Sequence, residues 1–62
     1  MRISIYFKVL GGHTHVRMFM NGGKCGDLVF RNEEFVVWSS MMKAGEARYG
    51  EHQVVVQIEE EE

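Results

Sequence analysis

A single cysteine, Cys25, is all the thiol chemistry this chain carries. One cysteine builds no disulfide framework, and a lone thiol fits a reducing compartment, most simply a cytoplasm. Long apolar runs are missing as well. No stretch approaches the roughly 18–20 residues a membrane span needs, so no membrane role is expected. A signal-peptide pattern is not expected either, because Arg2 is followed at once by alternating residues rather than an apolar block. Basic charge is scarce: the net charge is −2, and four of the nine acids are Glu59–Glu62. Residues 1–58 therefore hold seven basic against five acidic groups, a body too weakly basic to argue for nucleic acid. Neither the P-loop spacing GxxxxGK[ST] nor the dinucleotide fingerprint GxGxxG occurs. Length sets a further bound. A chain of 62 residues makes one domain, and it buries only about 60% of its unfolded surface, so a lone core is marginal.

What is present is alternation. Ile3, Ile5, Phe7 and Val9 alternate with Arg2, Ser4, Tyr6 and Lys8; after Gly11-Gly12, Thr14, Val16, Met18 and Met20 alternate with His13, His15, Arg17 and Phe19. Period-2 alternation marks strands with one buried face. A two-residue Gly-Gly loop pairs Leu10 with His13, and hence Val9 with Thr14, Phe7 with Val16, Ile5 with Met18 and Ile3 with Met20. A slip of one residue would break every one of these matches. The other face then sets Lys8 beside His15, Tyr6 beside Arg17 and Ser4 beside Phe19.

The stretch from Asn21 to Gly26 is glycine-rich and supplies the positive φ that reversals need. A five-residue loop over 21–25 predicts a third strand, Asp27–Arg31. That strand would pair Met18 with Leu28, Val16 with Phe30, Phe19 with Asp27, Arg17 with Val29 and His15 with Arg31. Asn32 is a good N-cap, and Glu33 and Glu34 sit where acids favour a helix dipole. The helix is expected over Glu33–Lys43, ending near Gly45. Phe35, Trp38 and Met42 would cover the sheet, while Val36, Val37 and Met41 widen the apolar stripe beyond what a small sheet covers. A polar connection, Glu46–Glu51, leads to a last strand over His52–Ile58, with Val54, Val56 and Ile58 inward. The fold expected is α+β: a single βββαβ domain over residues 1–58, with 59–62 as a solvated or frayed acidic tail. The last strand should run parallel to the strand it joins, at either edge of the sheet.

Three features could carry chemistry. The sheet face away from the helix would present Lys8, His15 and Arg31 in one row and Tyr6, Arg17 and Val29 in the next, with His13 and Phe19 nearby. Cations and aromatic rings on one face can bind phosphates and stack a base or ring. Such a face can equally be plain polar surface, or be covered by a protein partner. The loop 21–26 could form an anion-binding nest assisted by Lys24, although a plain hairpin turn explains its glycines as well. A metal site over His13, His15, Cys25 and His52 lacks recognisable ligand spacing, and none is expected. No nucleophile is paired with a base by motif, so an enzyme is not expected, and no cofactor is implied.

The segments Gly12-His13-Thr14-His15-Val16-Arg17-Met18-Phe19-Met20-Asn21-Gly22-Gly23 and Gly26-Asp27-Leu28-Val29-Phe30-Arg31-Asn32-Glu33-Glu34-Phe35 resemble small bacteriophage-encoded proteins that share HxHVRxFxNG followed by GxLxxRxEEF. The resemblance covers a third to a half of the chain and brings no activity with it. What it implies is an origin. Small phage proteins of this size often inhibit host defence in the host cytoplasm, by masking a host protein or by sequestering a nucleotide signal. The expectation is therefore a non-enzymatic binding protein acting as a homo-oligomer. Lys8, His13, His15, Arg17, Lys24 and Arg31 would contact phosphate, and Tyr6 and Phe19 would stack on a base. Alternatives are a protein-binding inhibitor using the same face or an open strand edge, and a structural or accessory phage protein.

Overall fold

A computed structural model describes residues 1–44 and 54–61. Four strands and one helix follow in the order β1 (Arg2–Leu10), β2 (His13–Met20), β3 (Gly23–Arg31), α1 (Asn32–Ala44) and β4 (Val55–Glu60). They make one sheet of order β3-β2-β1-β4, with α1 on one face.

The first hairpin pairs as its alternation requires: Leu10 with His13, Lys8 with His15, Phe7 with Val16, Ile5 with Met18 and Ile3 with Met20. Of the two turn glycines only Gly11 has a positive φ, 63°, as the first position of a type II′ turn demands. β4 runs parallel to β1, with Ile3 opposite Val56 and Ile5 opposite Ile58. This settles which edge the last strand joins.

The second hairpin differs from the sequence expectation. Its loop is the two-residue pair Asn21-Gly22, with φ of 51° and 85°. Two successive positive φ values define a type I′ turn, whose twist matches the flanking strands. The Asn21 amide donates to the Arg2 carbonyl at 2.8 Å, and its side-chain oxygen accepts from the Arg2 amide at 2.9 Å. β3 therefore begins at Gly23, not at Asp27. A bulge at Cys25 absorbs one residue between the Phe19–Lys24 and Met18–Gly26 pairs. Beyond it Arg17 meets Asp27, Val16 meets Leu28, His15 meets Val29 and His13 meets Arg31. Each β3 residue thus sits two places from where a five-residue loop would put it. A shift of two leaves every side chain on its expected face.

The core follows from these faces. Ile5, Val16, Phe35, Val54 and Val56 are buried, and Ile3, Phe7, Met18, Phe30, Trp38, Met42 and Ile58 pack around them. Phe35 is the pivot: its ring lies 4.6 Å from that of Phe7 and 6.2 Å from that of Phe30, and Phe30 stacks on Trp38 at 4.9 Å. Val36, Val37 and Met41 remain exposed on the helix, as their spacing predicts.

Helix and sheet are also joined by polar contacts at both ends of α1. Asn32 does more than open the helix. Its side-chain oxygen accepts from the buried Thr14 hydroxyl at 2.9 Å, its side-chain amide donates to the Gly11 carbonyl, and its backbone amide donates to the Gly12 carbonyl, the last two at 3.2 Å. The start of α1 is thereby fixed to the β1–β2 turn. At the other end Lys43 donates from Nζ to the Val56 carbonyl at 2.7 Å. The helix spans Asn32–Ala44, one residue beyond the expected limit on each side; its expected end near Gly45 lies outside the described residues, as do His52 and Gln53 of the expected last strand. The acidic tail is partly strand: Glu59 and Glu60 pair with Tyr6 and Phe7, because β1 extends past Ile5 and offers them partners.

Candidate functional site

All eight residues expected to form a binding face do share one face of the sheet. Even-numbered residues of β1 and odd-numbered residues of β2 point away from α1, and the register carries Arg31 and Lys24 to that same side. The rows differ from expectation because the second loop is three residues shorter than expected and the Cys25 bulge restores only one of them. Lys8 and His15 continue into Val29 rather than Arg31. Tyr6 and Arg17 continue into Asp27 rather than Val29. Arg31 lies beside His13, in the row that Leu10 begins, and Lys24 beside Phe19. Tyr6 and Phe19, diagonal neighbours, meet edge to face with centroids 5.7 Å apart, the geometry their quadrupoles favour.

Carboxylates share this face with the cations. Lys24 pairs with Asp27 at 3.0 Å, and Arg31 with Glu34 at 3.8 Å. Glu59 stands opposite Tyr6 from β4. Glu61 reaches Arg17 from beyond the end of β4. Arg17 donates from Nε to Glu61 Oε1 at 2.9 Å and makes a second, closer contact to the same oxygen from Nη2. The hydrogen bond and the charge of Glu61 raise the Arg17 pKa above its ordinary value. Among the described residues, Lys8, His13 and His15 make no ion pair. The sequence signal for Glu59 was the parallel last strand. Once Ile58 is set beside Ile5, Glu59 must lie beside Tyr6.

The glycine-rich segment forms no separate anion nest. Asn21-Gly22 is a hairpin turn and Gly23–Gly26 is strand. Cys25 is exposed, and its thiol lies 3.4 Å from the Met18 carbonyl it faces. No group of three or more His, Cys, Asp or Glu capable of holding a metal occurs among the described residues, where His13 and His15 share a face and His52 is not included. No helix there is long and apolar enough to cross a membrane.

A second surface lies at the other side of the sheet. Phe30, Glu33, Glu34, Val37, Trp38 and Met41 line an open groove of about 430 Å³ between α1 and β3. No family model, curated protein or solved structure matches the chain.

Proposed function

We propose that this chain is a small phage-type binding protein, without catalytic activity, that counteracts host defence in the host cytoplasm by sequestering an anionic ligand such as a nucleotide signal. It would work as a homo-oligomer. One observation carries the reading: Lys8, His15 and Arg17 stand in adjacent rows of the sheet face away from α1, with Tyr6 in the Arg17 row and Phe19, its ring partner, in the next. Imidazole, ammonium and guanidinium donors in neighbouring rows suit phosphate oxygens, and half-buried aromatic rings beside them suit a base.

The alternation of sign on this face supports a second reading. Asp27, Glu59 and Glu61 interleave with the cations, which suits a mixed-charge protein surface. On that reading the chain docks on a host defence protein and masks it.

Native mass spectrometry of the protein purified from phage-infected cells tests the first reading. The expected result is a co-purified small anion in the wild type and none in Arg17→Ala/His15→Ala, with circular dichroism unchanged. A ligand-free wild type together with capture of a stoichiometric host protein would replace the first reading with the second.

A further inference from the structure

The two edges of the sheet are unlike. At the β4 edge, Lys43 donates to the Val56 carbonyl, and the strand ends in Glu59 and Glu60. Laying two such strands together would crowd carboxylates, and acidic, covered edges are how sheets avoid pairing with one another. At the β3 edge, no other strand follows among the described residues, and the exposed residues Leu28, Val29, Val37 and Met41 lie along it or on the helix face beside it.

The backbone of β3 is oriented for a partner. Leu10 and His13 flank a two-residue turn and so form a hydrogen-bonded pair. Alternation makes Thr14, Val16 and Met18 the β2 residues that bond to β3, through Phe30, Leu28 and Gly26. The amide and carbonyl of Asp27 and Val29, and the amide of Arg31, therefore point off the edge of the sheet.

We infer that β3 pairs antiparallel with β3 of a second copy about a two-fold axis at Val29, giving a dimer with one continuous eight-stranded sheet. In this register Val29 meets the partner's Val29 and exchanges both backbone hydrogen bonds with it. Leu28 meets the partner's Phe30 on the helix face. Asp27 meets the partner's Arg31 on the outer face. Those charges are already parts of pairs within each chain, Lys24–Asp27 and Arg31–Glu34. The dimer thus strings Lys24, Asp27 and the partner's Arg31 and Glu34 into a row of alternating sign. Moving the axis to Leu28 or Phe30 sets Asp27 or Arg31 against Val29. Moving it to Asp27 or Arg31 sets like charges face to face, which is unfavourable. The Val29 register is the one among these in which charge, apolar face and backbone donors all match, as a self-complementary two-fold contact must. It also brings the two grooves together over the axis, so that Val37 and Met41 of each helix approach those of the partner. On the outer face it joins the Lys8–His15–Val29 rows of the two copies into one.

This gives the proposed assembly a specific surface and does not depend on the ligand. A monomer would overturn the dimer and leave the anion question to native mass spectrometry. Light scattering of the full chain at micromolar concentration should give twice the chain mass of 7.2 kDa. In a Cys25→Ser background, Val29→Cys should cross-link to a dimer on mild oxidation, because hydrogen-bonded antiparallel partners lie about 5.5 Å apart at Cα, within disulfide range. Val29→Lys should return the mass to one chain with circular dichroism unchanged. A one-chain mass for the wild type overturns the inference, as does a two-chain mass without the cross-link, or an assembly larger than two. Should Val29→Lys fail to fold, the cross-link decides.

Discussion

Arg17 and Glu61, 44 positions apart in sequence, are joined across the outer face of the sheet. Glu61 is delivered there by the backbone, since its amide donates to the Phe7 carbonyl at 2.6 Å, continuing the β1–β4 pairing by one step. A carboxylate oxygen then stands where the oxygen of a phosphate would bind the same guanidinium. For the proposed anionic ligand, the chain would supply its own competitor.

Glu61→Gln should therefore strengthen binding of a phosphate-bearing ligand. The expected gain is roughly 3–10-fold at low salt, and it should shrink above about 0.15 M salt as exposed charges are screened. Calorimetric titration of inorganic pyrophosphate against wild type and variant measures it. Unchanged or weaker binding would mean that Glu61 and the ligand do not contend for Arg17.

Core truncation should be severe for so small a domain. Ile5 is fully buried on the central strand β1, and Ile5→Ala should cost about 2–5 kcal/mol, which is a large share of the stability such a chain can have. Val36→Ala, on the exposed side of α1, should stay within about 0.5 kcal/mol. Urea unfolding of the two variants provides the comparison, and similar midpoints would contradict the core described here.

Asn32→Ala tests the junction of helix and hairpin. The Thr14 side chain is buried, with a relative exposure of 1%, and its hydroxyl donates to Asn32. Removing the acceptor strands that hydroxyl, with an expected loss of about 1–3 kcal/mol. Thr14→Val in the Asn32→Ala background removes the stranded group and should recover part of the loss. A double variant no more stable than Asn32→Ala would show that the junction matters through something other than this hydrogen bond.

Two glycines of the second hairpin should respond oppositely to alanine. Gly22 holds a φ of +85°, which a side chain resists. Gly26 lies in strand, and a Cβ there would meet nothing within 4 Å. Gly22→Ala should lower stability by about 1 kcal/mol or more, whereas Gly26→Ala should be neutral or slightly stabilising. Thermal melts in parallel measure the difference.

The first hairpin was legible residue by residue because its loop is as short as loops get. Two glycines fix the parity, and the apolar residues fix the face. The second was legible only in part. Asn21-Gly22 is itself the strongest signal for a two-residue turn, but the glycines after it read as a longer loop. The extra residue at Cys25 has no mark in the sequence, since a bulge is a property of the pair of strands rather than of either one. The loop is three residues shorter than expected and the bulge restores one, a net displacement of two, so Asp27, Val29 and Arg31 kept their face while their neighbours changed. Arg17 lost Val29 and gained Asp27. The place of Glu61 could not be read at all, because it depends on which edge β4 joins, and both edges satisfied the pattern. What resolves the choice is packing: beside β1, Val54 and Val56 reach the same core as Ile5 and Phe35.

The parallel pairing of β4 with β1 gives the chain an unfavourable order of synthesis. β1, β2 and β3 are hairpin-linked and can associate as soon as they leave the ribosome. Until residues 55–60 follow, β1 is an edge strand carrying Ile3, Ile5 and Phe7, and Val56 is absent from the core. Every nascent chain thus passes through an interval in which its most apolar strand has an open side, the condition under which strands of neighbouring chains join. Completion of this protein is the conversion of β1 from an edge into a centre.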